Sequence, residues 1–142
     1  MMSKQLSVFI ENRKGRLGEV LQVLKDNDIN IISLSLADTT EYGLLRLIVN
    51  DANKGKEKLT EEGFSTMLTD VFIINISHQV GSLQDLLKIL TINDVSIEYM
   101  YGLSVEGENA YVVLKSSDSA KVEKIFAENG VVTLSDKDIS VI

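Results

Sequence analysis

The sequence predicts an α+β fold made of two equivalent units in tandem, each a βαββαβ chain with an antiparallel sheet and helices on one face. Three observations predict it. The segment GRLGEVLQVLKDNDINI from Gly15 reappears as GSLQDLLKILTINDVSI from Gly81, an offset of 66 residues. EEGF at Glu61–Phe64 reappears as ENGV at Glu128–Val131 at an offset of 67, so one residue is inserted between the two matches. The hydrophobic period also switches between two and 3.6 in the same order in both halves. A repeat of this reach sets domains at 1–70 and 71–142. The boundary has no Gly/Ser linker, which predicts closely docked domains.

Each element follows from its spacing. Leu6, Val8 and Ile10 alternate with Gln5, Ser7 and Phe9, a strand pattern. Past Gly15 the apolar positions become Leu17, Val20, Leu21 and Leu24, one stripe of a helix. Leu83, Leu86, Leu87 and Leu90 repeat it. Asn27-Asp28 and Asn93-Asp94 end these helices, because short polar side chains compete for backbone bonds and tolerate turns. Second strands are expected at 31–37 and 97–103, hairpin loops at 39–43 and 105–109, and third strands at 44–50 and 110–115. Second helices are expected at 53–62 and 119–129, with Gly63 and Gly130 where a glycine closes a helix. Fourth strands are expected at 65–68 and 131–134. The order is the split βαβ, ferredoxin-like one. Residues 138–142 align with the start of the second unit and predict a spare terminal strand, which would invite pairing at a sheet edge and makes a homodimer plausible.

Composition narrows the function classes. The 142 residues are 44% hydrophobic and 25% charged, as in a globular protein. The net charge is −7 with no basic block, which argues against nucleic acid as a partner. There is no cysteine, so disulfides, thiolate metal sites and thiol catalysis are excluded. No apolar run is long enough for a bilayer, and no secretory leader is evident, so the expected location is the cytoplasm with no membrane partner. Proline is absent, leaving turns to Gly, Asn, Asp and Ser.

The stretch ENRKGRLGEVL at 11–21 concentrates Arg13, Lys14 and Arg16 around Gly15 at a helix start. Together with the preceding strand and the Asn30-Ile31 that opens the next one, it resembles the opening of an ACT domain. The second copy carries Gly81, Leu83 and Ser96-Ile97 at the same places. The resemblance covers both repeats. It implies a non-catalytic regulatory module that binds a free amino acid or similar ligand where two such domains meet, and reports to a partner enzyme of amino-acid or related metabolism. In ACT domains of the phosphoglycerate dehydrogenase type, the Asn before the loop glycine and the Asn opening strand two contact the ligand; those positions are Asn12 and Asn30 here. That type has Pro where this chain has Lys14 and Val80, and His where it has Ile10, so the ligand need not be serine.

The candidate ligand-binding residues are therefore Asn12, Arg13, Lys14, Gly15, Arg16, Leu17, Asn30, Ile31 and Ile32. Second-site candidates are His78, Gln79, Val80, Gly81, Ser82, Leu83 and Ser96. The chemistry is reasonable: a helix N-terminus offers unpaired N–H groups to a carboxylate, and Asn oxygens accept from an ammonium. The plainer reading makes Arg13 and Arg16 solvated charges balanced by Glu11 and Glu19, and His78 a surface residue. No cofactor or metal is implied: His78 is the single histidine and has no ligand spacing around it. No nucleophile elbow or P-loop is present, so catalysis is not expected. The competing expectation is a protein–protein interaction module with no metabolite ligand.

Overall fold

A computed structural model of the chain describes residues 1–11, 13–38 and 41–140. The elements are β1 (Ser3–Glu11), α1 (Arg16–Asp26), β2 (Ile31–Asp38), β3 (Tyr42–Val49), α2 (Ala52–Glu61), β4 (Ser65–Ser77), α3 (Ser82–Ile92), β5 (Ile97–Glu106), β6 (Asn109–Ser116), α4 (Ser119–Glu128), β7 (Val132–Thr133) and α5 (Asp136–Ser140). They form two compact units. The N-terminal unit holds residues 4–69 and the segment from Asp136; the C-terminal unit holds residues 1–3 and 70–135. The α+β class and the βαββαβ pattern are as expected. Part of the expected 39–43 hairpin loop lies outside the described residues.

In the N-terminal unit the strand order is β4-β1-β3-β2, and in the C-terminal unit β7-β4-β6-β5. The central strand of each unit pairs antiparallel with its neighbour, with Leu6 opposite Leu47 and Val8 opposite Leu45 in the first, and Phe72 opposite Leu114 and Ile74 opposite Val112 in the second. The expected fourth strand of one unit and first strand of the next are a single strand, β4, of 13 residues. No glycine or proline falls between Ser65 and Ser77, so nothing breaks the strand at the boundary.

Alternation and helical stripe meet in each core. Leu6, Val8 and Ile10 of β1 and Leu45, Leu47 and Val49 of β3 pack with Val20, Leu24, Leu59 and Phe64. Phe72, Ile74 and Leu114 pack with Leu86, Leu90, Val122, Ile125 and Phe126. Full burial of such a side chain stabilises by about 1.5–3 kcal/mol. One position differs sharply. Gly55 of α2 lies so close to β1 that an added Cβ would be 3.0 Å from the Leu6 Cδ2; its counterpart in α4 is Val122, fully buried.

The Asn-Asp stops act by two means. Asn27 Nδ2 donates to the Val23 carbonyl at 2.8 Å, and Asn93 Nδ2 to the Ile89 carbonyl at 2.7 Å. Asp28 and Asp94 then take left-handed backbones, φ 58° and 59°. Gln5 and Ser7, on the other face of β1, are buried as well, and Gln5 Nε2 donates to Ser7 Oγ at 3.2 Å, which offsets part of their desolvation. One expectation is corrected: the spare terminal strand is not a strand. Residues 136–140 form α5, with Asp136 and Asp138 in its first turn, where a helix favours negative charge, and Ile139 buried. Asp136 Oδ1 accepts from the Lys4 N–H at 2.7 Å. Three charges in succession at 136–138 offer no period-two face, so a strand has nothing to bury there. Residues 141 and 142 of the expected strand lie outside the described residues.

Candidate functional site

The turn entering α1 is built by Gly15. It is the residue preceding the helix, at φ 84°, ψ −8°, a left-handed conformation that costs a residue with a Cβ about 1–2 kcal/mol. Around it the Arg13 N–H donates to the Glu11 carbonyl at 2.8 Å, Arg16 N–H to Arg13 carbonyl at 3.3 Å, and Glu19 N–H to Gly15 carbonyl at 3.1 Å. The second copy repeats this geometry. Gly81 has φ 88°, ψ −10°. Gln79, Ser82 and Asp85 N–H groups donate to Ser77, Gln79 and Gly81 carbonyls at 2.9, 3.2 and 3.0 Å. His78 N–H donates to the Glu108 carbonyl at 2.7 Å, and Val80 is fully exposed. Asn12 lies outside the described residues.

The three cations around Gly15 are not equivalent. Arg13 Nε pairs with Glu11 Oε2 at 3.2 Å and its Nη2 approaches Glu19 at 3.9 Å. Arg16 Nη1 donates to Glu19 Oε2 at 2.6 Å, and its guanidinium carbon stands 3.9 Å from the centre of the Phe64 ring. The hydrogen bond from Arg16, aided by the charges of Arg13 and Arg16, holds the Glu19 carboxyl below the ordinary glutamate range. Exposed pairs of this kind are worth little, about 0.2–1 kcal/mol; Arg16, only 17% exposed and seated on an aromatic face, is the structural member. Lys14 is exposed and makes no ion pair among the described residues. Two of the three charges thus have partners in their own chain.

Asn30, Ile31 and Ile32 lie at the other end of α1. That helix has 11 residues and so separates them from Gly15 by about 16 Å. The Asn30 N–H donates to Asn50 Oδ1 at 2.9 Å, and the Asn50 N–H to the Asn30 carbonyl at 3.1 Å, which leaves the exposed Asn30 side chain to solvent. Ile32 sits at a register shift of β2 against β3, as Glu98 does in β5. An open concavity of about 470 Å³ lies here, lined by Leu21, Lys25, Asp28, Asn30 and Ile31 among others. At the loop end, Arg13 and Leu17 line a cleft of about 180 Å³ with Ile10, Leu36, Asp38 and Gly43. Ligand pockets usually have about 300–1,000 Å³, so this cleft takes a small ligand or part of one. Loop and strand start are not brought together within one unit. Ser96, counterpart of Asn30, is likewise exposed and remote from Gly81, its carbonyl accepting from the Ser117 N–H at 3.4 Å.

Lys25 and Asp28 are members of the Asn30 concavity that spacing alone does not single out. Neither side chain has an ion-pair partner among the described residues. The signal available in the sequence is the repeat: Lys25 and Asn30 become Thr91 and Ser96, while apolar Leu21 and Ile31 become Leu87 and Ile97. Among the described residues no three His, Cys, Asp or Glu side chains are arranged to hold a metal ion, and no helix is long and apolar enough to cross a membrane.

Comparisons with known proteins agree with this architecture. No curated relative matches the chain. A crystal structure of protein BT0572 from Bacteroides thetaiotaomicron is 36% identical, with a TM-score of 0.94 over 100% of this chain and 98% of that one. The regulatory subunit of aspartate kinase from Thermus thermophilus, ligand-free, is 16% identical, with a TM-score of 0.59 over 87% of this chain and 92% of that one. The corresponding subunit from Thermus flavus is 17% identical, with a TM-score of 0.56 over the same shares, 87% and 92%. The family model of the ACT domain pair matches residues 1–142, and the chain belongs to that family.

Proposed function

We propose that this chain is a non-catalytic regulatory protein of the cytoplasm that binds a free amino acid and passes the signal to an enzyme of amino-acid or related metabolism. The observation that carries the reading is the match of the ACT domain pair to all 142 residues. The likeness of fold to regulatory subunits of aspartate kinase supports an enzyme as the recipient. The ligand's carboxylate would meet the N–H groups and cations at 13–17, and its ammonium the Asn30 side chain. Because α1 separates these groups by about 16 Å, an amino acid can touch both only if they come from two ACT domains. Binding would then favour the arrangement that brings them together, by as much as its affinity differs between arrangements.

Calorimetric titration of amino acids into native chain and two variants tests this. Gly15→Val should remove binding while the chain stays folded, since open space surrounds the position and only the loop backbone is displaced. Asn30→Ala should weaken binding by about 1–3 kcal/mol, the cost of an unpaired polar group in the complex. Unchanged affinity in both variants would take these residues out of the mechanism. A second reading has its own observation: β2 is the outer strand of its unit's sheet, and Leu34 and Leu36 on it are each 49% exposed. An edge of that kind suits a protein partner or a second copy. Association that no amino acid alters would favour it.

A further inference from the structure

The two copies of the helix-entry loop differ by a linked exchange. In the N-terminal unit Arg16 lies on the Phe64 ring at 3.9 Å and donates to Glu19 at 2.6 Å. In the C-terminal unit the same positions hold Ser82, Val131 and Asp85, and Arg13 is replaced by Gln79. The large cation, its aromatic seat and its exposed helper are all lost, and the carboxylate is kept. Around the corresponding position there is an open groove of about 270 Å³, whose lining includes Ser77, Ser82, Asp85, Gly130 and Val131. Asp85 has no ion-pair partner among the described residues.

We propose that this groove is a binding site for the alkyl-guanidinium or alkyl-ammonium end of a small molecule, with the exposed Asp85 as its counter-charge. The N-terminal unit shows the occupied form, in which the chain's own Arg16 is the cation. The apolar stem of the ligand would lie on Val131, Leu86 and Ile89, as the Arg16 side chain lies on Phe64. The positive end of the α3 dipole does not forbid this, because Arg16 is accommodated at the corresponding end of α1 beside a full carboxylate charge. The groove shares no residue with the loop 13–17 or Asn30 and does not rest on the amino-acid reading; Ser82 is its one member that is also a second-site candidate.

The probes are n-propylguanidinium and n-butylammonium, which lack the α-carboxylate that the amino-acid reading requires. Amide signals of the ¹⁵N-labelled chain are followed during titration at millimolar concentrations. Ser82, Asp85 and Val131 should shift and saturate, while Arg16 and Glu19 stay in place. Asp85→Asn should weaken binding about twofold to fivefold, as expected for loss of an exposed charged partner. The double change Ser82→Arg, Val131→Phe, which copies the other unit, should leave the probes without effect. No saturable shift at these amides in the native chain, equal shifts around Arg16, or undiminished affinity in Asp85→Asn would overturn the proposal.

Discussion

The loops that enter α1 and α3 have one backbone and two chemistries. Gly15 and Gly81 agree within a few degrees of φ and ψ, and their three flanking backbone hydrogen bonds match pair by pair. Yet Arg13, Lys14 and Arg16 face Gln79, Val80 and Ser82. The glycine and the leucine stripe determine the path of the chain; the side chains between them are left to function. The same division appears at the far end of α1, where Leu21 and Ile31 are kept in the repeat and Lys25 and Asn30 are not.

Exchanging residues between units would break or sharpen this comparison. The largest effect is expected where cores differ. Val122→Gly should cost about 3 kcal/mol, from lost burial and the helix penalty of glycine, and the reverse change Gly55→Val about 1–3 kcal/mol through overpacking on Leu6. Chemical denaturation would show this; near-neutral results would mean that the two helix–sheet interfaces are interchangeable. Next come the paired loop glycines. Gly15→Ala and Gly81→Ala should each lose about 1–2 kcal/mol, all of it backbone strain, since nothing lies within 4 Å of either added Cβ. Unequal losses would separate two loops that the geometry makes alike.

Asp51 and Asp118 cap α2 and α4 through equal bonds, each 3.1 Å to the backbone N–H three residues on. Alanine at either should cost about 1 kcal/mol, and the two denaturation midpoints should fall together. The smallest effect is that of Arg16→Ser, which makes the first loop like the second. The Glu19 carboxyl is held low by Arg16, so its contribution is present above its unfolded-state value and disappears as pH falls through its folded one. The difference in melting temperature between native and variant should therefore narrow on acidification. A gap that widens instead would show the pair to be unfavourable.

The fold was legible because each unit uses simple signals twice. Leucine spacing, Asn-Asp stops and closing glycines all sit where the structure needs them. The terminal helix was not legible, because a five-residue element with one buried residue, Ile139, is decided by tertiary contact rather than by period. Burial of Gln5 and Ser7 escaped for a related reason: alternation separates two faces but does not say which are covered. At the candidate site, the cation cluster was visible and its internal pairing with Glu11 and Glu19 was readable from spacing. The stacking of Arg16 on Phe64 joins residues 48 positions apart, and only the joint change to Ser82 and Val131 hints at it. Separation of Asn30 from the loop follows from helix length, which linear proximity conceals.

Thermal unfolding of the chain in each of the twenty amino acids, at millimolar concentration, tests the central claim most directly. A ligand at about a hundred times its dissociation constant adds roughly 2.7 kcal/mol, several degrees for a chain of this size. The account predicts a clear rise with one or a few amino acids and none with the rest. A melting temperature that no amino acid moves would contradict it.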